Sequence, residues 1–268
     1  MFLAHTSSID SNSYKVLDQY DRKQVLVNTG KYSIVSNVCP HQQSLISQND
    51  GSGNRSCPYH NWTFTVDGTP LTSGRTAYYC KNNSPLSNLP VYEWNNLLFS
   101  VPVDFDVSVK FDNMTLMESR FDIVDANCET IMDLFLDVDH IQSVHTGVYD
   151  LIGITNTEVS WDYYKNGSVQ TVPQGALWIA VYPFTMIEWQ QGSMFITVAQ
   201  PYGNQSKVSV FKYMDKDYCD TWKINEKVWE TAWSQDKQQA ELITNFPQEN
   251  LEPQKIHFRE FLKSNGTY

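Results

Sequence analysis

The chain has 268 residues, enough for a sizeable core and for one or two domains. Hydrophobic residues at 41% and charged residues at 18% exclude a disordered or collagen-like chain. Nineteen Lys and Arg against thirty Asp and Glu leave a net charge of -11, which repels a phosphate backbone, and no Lys/Arg cluster offsets it, so nucleic acid is excluded as a partner.

The longest apolar stretch, 176–187, is too short to span a bilayer and contains Pro183. Residues 1–6 lack a basic region followed by an apolar one, so no signal peptide is expected. The expectation is a cytoplasmic protein with no membrane partner. Five cysteines are an odd number and too few for a disulfide scaffold. Cys80, Cys128 and Cys219 read as packed thiols, His257 as a surface residue, and the eight Trp as core.

Taken in order, 25–27 and 32–35 flank Asn28-Thr29-Gly30 as a hairpin, 62–66 runs into Asp67-Gly68, and 91–94 meets 97–101 across Asn95-Asn96. Short strands at regular spacing predict an all-β domain, with a boundary at Pro102-Val103-Asp104. A helix is predicted over 128–145, with Ile131, Leu134, Phe135, Val138 and Ile141 at helical spacing and Thr146-Gly147 as its stop. Strands at 176–182, 185–189, 194–199 and 207–213, joined by short connections, predict an antiparallel sheet. A last helix is predicted over 224–244, with Val228, Ala232 and Ile243 on one face. The class is α+β.

Cys39-Pro40-His41 and Cys57-Pro58-Tyr59-His60 form C-x-H, fifteen residues, then C-x2-H. Zinc fingers pair Cys with Cys and His with His, usually with a helix carrying the histidines, whereas here each half is mixed and set among strands. A [2Fe-2S] cluster with two thiolates on one iron and two imidazoles on the other fits better. Gly51-Ser52-Gly53 is expected to lend flexible backbone for folding two loops over one cluster. The run from Cys39 to Trp62 resembles the Rieske motif, with the Trp after the second histidine that Rieske oxygenases carry. No cysteine pair bridges the loops, which points to the oxygenase or ferredoxin branch. Gln42-Gln43 departs from the Arg-Gly usual after the first histidine, and Asn61 replaces the usual Gly.

Asp137, His140 and His145 give D-x2-H-x4-H. Two histidines five apart on an ideal helix point about 140° away from each other, so they share a metal only if the helix ends or bulges. A carboxylate would complete the two-histidine, one-carboxylate face of a non-haem Fe(II) site. Asp236 follows Val228 and Ala232 at i, i+4, i+8, which places it on the inward face of the last helix, where a carboxylate is costly unless paired or metal-bound.

The segment 127–145 resembles the catalytic-domain motif of Rieske non-haem iron oxygenase α-subunits, and Gln235-Asp236 with Glu241 resembles that family's carboxylate-bearing segment. Asp133 stands where the family usually has Asn. The resemblance spans roughly 20–245 and implies a Rieske domain over 1–103, then a helix-grip, START-like catalytic domain over 104–268. It further implies a [2Fe-2S] cluster on Cys39, His41, Cys57 and His60, and mononuclear Fe(II) on His140, His145 and Asp236. By the same resemblance Asp137 bridges to a cluster histidine of a neighbouring subunit, which implies a homotrimer. No G-x-G-x-x-G fingerprint occurs, so electrons are expected from a separate reductase or ferredoxin. The expected activity is mono- or dioxygenation, or demethylation, of a small organic substrate with O2. Two rivals stand beside it: an electron carrier whose second domain binds a partner, and a ligand-binding cup without oxygenase chemistry.

Overall fold

The run Val25-Leu26-Val27 has no polar side, and the structure, a computed structural model that describes residues 1–71, 84–154, 159–243 and 251–266, buries it on both faces. Two compact units result, 2–102 and 103–268. Cys80 and Thr244 lie outside the described residues.

The first unit holds β1 (Phe2–His5), β2 (Ser13–Val16), β3 (Gln24–Asn28), β4 (Tyr32–Ser36), β5 (Gly51–Ser52), β6 (Arg55–Ser56), β7 (Thr63–Phe64), β8 (Asn88–Pro90), β9 (Tyr92–Trp94) and β10 (Leu97–Phe99). They form sheets β5-β2-β3-β4-β8, β1-β10-β9 and β6-β7. Because side chains alternate along a strand, Val25 and Val27 join the core that contains Cys39, Cys57 and Trp62, while Leu26 joins a second core with Leu3, Ile34 and Leu98. The strand expected over 62–66 is only Thr63–Phe64. Gly51 is not a flexible link: it pairs with Tyr14, and a Cβ there would lie 2.6 Å from the Tyr14 hydroxyl oxygen, so close approach accounts for glycine.

The second unit is a seven-stranded antiparallel sheet ordered β11-β17-β16-β15-β14-β13-β12. Its strands are β11 (Met114–Val124), β12 (Ser160–Tyr164), β13 (Gly167–Val172), β14 (Ala176–Val181), β15 (Thr185–Gln190), β16 (Ser193–Tyr202) and β17 (Gln205–Asp215). Its helices are α1 (Cys128–Leu136), α2 (His140–Val144), α3 (Cys219–Leu242) and α4 (Pro253–Ser264). The all-β first unit and this sheet-plus-helices unit make the α+β, helix-grip class.

Strand β11 reverses the usual polarity: Met117, Phe121 and Ile123 are exposed, while Glu118, Arg120 and Asp122 are half-buried. The inward charges meet β17 and α3. Lys212, 2% exposed, reaches Glu118 at 2.6 Å, Glu226 at 3.1 Å, and Glu230. Arg120 grips Glu230 with two nitrogens at 2.6 and 3.0 Å. This network holds α3 against the sheet beside a core of Trp222, Trp229, Trp233 and Phe195.

Three further expectations are corrected. The helix over 128–145 is two helices, because Asp137 is extended (φ -89, ψ 94) and the Leu136 carbonyl accepts from Gln254 at 3.1 Å instead of continuing the ladder. Cys219 is exposed at the start of α3, its thiol turned to the Lys216 carbonyl at 3.1 Å. His257 is half-buried and meets the Tyr182 hydroxyl at 3.1 Å. Cys128 is buried. Among the described residues, no helix is long and apolar enough to cross a membrane.

Candidate metal centres

In the first unit, Cys39 and Cys57 each head a tight turn of the same design. The Cys39 N–H donates to Ser44 at 2.8 Å and the Gln43 N–H returns to Cys39 at 2.9 Å; the Cys57 N–H donates to Trp62 at 2.8 Å and the Asn61 N–H returns to Cys57 at 2.9 Å. Each turn closes through a left-handed residue, Gln43 at φ +57 and Asn61 at φ +56. Glycine takes that conformation most readily, and Asn more readily than Gln. These are the positions where the Rieske pattern has Gly.

Both thiols are buried and free. Burial pushes the Cys39 thiol up, the His41 backbone N–H opposes this, and the adjacent Cys57 thiol adds to it. The rings of His41 and His60 lie 4.6 Å apart, and Trp62 stacks on His41 at 5.1 Å with the planes 4° apart. Trp62 is therefore a wall of this site as well as core. The Nδ1 atoms of His41 and His60 are buried with no hydrogen-bond partner. Buried polar atoms are almost always satisfied, and two orphaned imidazole nitrogens beside two buried thiols fit the ligand set of a Rieske cluster.

In the second unit, the chain breaks at Asp137 so that His140 opens α2 and His145 follows its last turn (φ -105, ψ 31). The break precedes both histidines, and the short α2 ends before the second, which lets the rings converge. His140 Nε2 lies 3.0 Å from His145 Nε2 and 3.2 Å from Asp236 Oδ1, and His145 Nε2 lies 2.9 Å from that oxygen. On one face of an octahedron with ligand distances of about 2.1 Å, neighbouring donors are separated by about 3 Å. The three atoms fit such a face. Among the described residues these three side chains are the group of His, Cys, Asp or Glu whose ligand atoms could hold one ion.

Each imidazole is oriented by a neighbour. His145 Nδ1–H donates to Gln235 Oε1 at 2.8 Å, which leaves Nε2 as the lone-pair nitrogen. His140 Nδ1–H donates to the Asp137 carbonyl. Burial opposes ionisation of Asp236, but the His140 and His145 imidazoles outweigh it and hold the carboxyl below its usual range. Burial lowers His145, and the hydrogen bond and charge of Asp236 outweigh it, leaving the imidazole raised.

The carboxylate of Asp137 accepts the His140 backbone N–H at 3.3 Å and pairs with Lys255 Nζ at 3.0 Å. One turn back on α1, the fully buried Asp133 pairs with Arg259, which also reaches Glu129 at 3.3 Å. Two acids four apart thus meet two cations four apart on α4. Arg259 is the partner that permits a carboxylate at this fully buried position.

Above the triad lies a narrow cavity lined by Phe135, Val138, Ile141, Tyr149, Trp178 and Met186, together with Asp137, the triad and Glu188. A second, equally narrow lobe shares Tyr149, Trp178 and Glu188 and adds Phe195, Val228 and Trp229. A more open groove of about 340 Å³, lined in part by Gln191, Asp220 and Asn225, shares Gln190 with the second lobe and, among the described residues, holds no histidine or cysteine. Glu188 Oε1 accepts the Trp229 indole N–H at 2.9 Å, and the Tyr149 hydroxyl donates to the same carboxylate. Burial pushes the Glu188 carboxyl up to about 7, Trp229 and the two imidazoles opposing and Asp236 adding to the rise. Sequence reading passed over Glu188, Tyr149 and Lys255. For Glu188 the available signal was a lone carboxylate sharing a strand face with Met186.

Residues 1–81 match the Rieske [2Fe-2S] domain family. The chain is 24% identical over 231 residues to a putrescine 2-hydroxylase of Ralstonia nicotianae, a match covering 71% of this chain and 62% of that protein, so it spans less than two thirds of that relative's length. It is 22% identical over 252 residues to a carnitine monooxygenase oxygenase subunit of Acinetobacter baumannii, covering 79% of this chain and 67% of that one. Its fold matches the quaternary ammonium Rieske monooxygenase CntA solved with L-carnitine, with a TM-score of 0.74, 17% identity, and coverage of 100% of this chain and 88% of that one. Another CntA structure is reported with insights into inter-subunit electron transfer. Pseudomonas putida CBB5 NdmA, solved with caffeine, matches with a TM-score of 0.61 at 17% identity over 97% of this chain and 85% of that one. Residues 1–81 thus carry a Rieske [2Fe-2S] domain, and the chain along its whole length has the fold of the Rieske monooxygenase structures it matches.

Proposed function

We propose that this protein is the terminal oxygenase subunit of a Rieske non-haem iron monooxygenase, which uses O2 and electrons from a separate reductase or ferredoxin to hydroxylate or demethylate a small organic substrate. The observation that carries this reading is the convergence of His140 Nε2, His145 Nε2 and Asp236 Oδ1 within 3.2 Å of one another at the floor of an apolar cavity. The names of the relatives, a hydroxylase and a monooxygenase, favour insertion of one oxygen atom.

Cys39, Cys57, His41 and His60 would hold the [2Fe-2S] cluster, and His140, His145 and Asp236 the Fe(II). When bound, these groups supply one-electron reduction and O2 activation. The rest falls to the chain. Gln235 keeps the His145 proton on Nδ1, and the Asp137 carbonyl does the same for His140. Phe135, Ile141, Trp178 and Met186 exclude water from the space above the triad. The Asp137 carboxylate, fixed by Lys255, is the proposed link from His140 to a cluster histidine of a neighbouring subunit in a homotrimer.

Iron and sulfide analysis with O2 uptake tests this reading. The oxygenase predicts about three irons and about two acid-labile sulfides per chain. His140→Ala should lose the mononuclear iron and the O2 uptake while keeping the visible absorption of the cluster. Only about two irons in the parent protein would leave an electron carrier and refute the oxygenase.

A further inference from the structure

We propose that Glu188 is the seat for the ammonium group of a short aliphatic amine, with Trp178 and Tyr149 as its walls. The assignment builds on the oxygenase reading for the fate of the substrate, and on the cavity alone for its binding.

The second unit satisfies its other inward charges internally. Asp133 has Arg259, Asp137 has Lys255, and Lys212 has Glu118, Glu226 and Glu230. Glu188 differs. Its carboxylate is held by two neutral donors, the Trp229 N–H and the Tyr149 hydroxyl, and among the described residues no Lys or Arg lines either lobe of the cavity it faces. A carboxylate accepts about four hydrogen bonds, so acceptor capacity is left for a cationic donor entering the cavity.

Its surroundings suit such a donor. Trp178 is the cross-strand neighbour of Glu188 on β14, and Phe195 is its neighbour on β16. Tyr149 meets Trp178 edge to face at 6.0 Å. A carboxylate set among aromatic faces joins a charge-assisted hydrogen bond to cation–π attraction. Glu188 also lies outside the group of ligand atoms within 4.8 Å of one another, so it is not a fourth ligand. It stands where the two lobes adjoin, and Met186, Ile141, Val138 and Phe135 line the way to the triad with apolar surface suited to methylenes. Both lobes are narrow, which limits the amine to a short, unbranched chain.

Calorimetric titration of the metal-loaded protein, under argon and without reductant, tests the assignment. The probes are propyl-, butyl- and pentylammonium and the alcohols of equal chain length. At least one ammonium should bind about tenfold or more tightly than its matched alcohol, and Glu188→Gln should weaken it about tenfold while leaving the alcohol unchanged. Cluster absorption and iron content equal to the parent show that the variant is folded; should it fail that check, the ammonium–alcohol comparison on the parent decides alone. Binding of no ammonium, equal binding of ammonium and alcohol, or full affinity in a folded Glu188→Gln would overturn the assignment. Ammonium binding without any O2 uptake on reduction would sink the oxygenase and leave Glu188 standing; O2 uptake with no ammonium bound would do the reverse.

Discussion

Replacing Arg259 by Met removes the cation from a fully buried carboxylate while keeping much of the side-chain volume. Burial already pushes Asp133 from 3.8 up to about 6, with Arg259 and Lys255 pulling the other way. Without Arg259 the carboxyl rises further and the folded variant holds a proton at neutral pH that the unfolded chain has released. Protonation caps the penalty: keeping a group of ordinary value 3.8 protonated at pH 7 costs about 4 kcal/mol at 1.36 kcal/mol per unit, and the parent already bears about 3 of these. Arg259→Met therefore destabilises by about 1–2 kcal/mol at pH 7, including its half-exposed contact with Glu129. The sign follows from a folded value raised above the unfolded one: stability falls as pH rises between the two. In the parent that fall is complete near pH 6, whereas in the variant it continues, so the difference grows by up to about 1.4 kcal/mol per pH unit above 6 and shrinks below it to the small loss of the Glu129 contact. Urea unfolding of parent and variant at pH 6, 7 and 8, followed by Trp fluorescence, measures this. Adding Asp133→Asn should abolish the extra pH dependence. A difference equal at pH 6 and 8, or no recovery in the double variant, would refute the reasoning.

Asp137→Asn should leave both metals bound and lower turnover on the order of tenfold or more, measured as O2 uptake against iron content; undiminished turnover would remove the proposed bridge. Gln235→Leu leaves the His145 Nδ1–H without its acceptor and should weaken mononuclear iron binding by about 10–100-fold in competition with a chelator, with the cluster spectrum unchanged. Gln43→Gly relieves a left-handed Gln and should raise the stability of the first unit by about 1 kcal/mol with the cluster retained, read as a higher thermal midpoint of the cluster absorption.

What could be read from the chain alone follows the range of the interactions. The mixed Cys/His pairs stand out because each is local to one turn, and Asp236 stands out because a carboxylate in line with Val228 and Ala232 breaks an apolar face. The four strands from 176 to 213 alternate or run apolar, as buried strands do. Strand β11 escaped notice because its charges face inward and Phe121 and Ile123 face out, a pattern that makes sense only once Lys212 and α3 are in place. Helix α4 was hidden for a related reason: Lys255 and Arg259 occupy its buried side beside Phe258 and Leu262, and their acids come from α1. The stop at Thr146-Gly147 was read correctly, but the earlier break at Asp137 depends on Gln254, far along the chain. Glu188 reads as one more polar strand residue until Trp229 folds over it.

The two candidate ligand sets differ in how much polypeptide must be in place before each exists. Cys39 to His60 is a stretch of 22 residues held within the first unit, available as soon as that unit closes. His140 and Asp236 are separated by 96 positions, with strands β12 to β17 of the sheet lying between them in the chain. A nascent chain, which matures from its N-terminal end, would thus be ready for the proposed cluster at one end well before it could hold the proposed ferrous ion at the other.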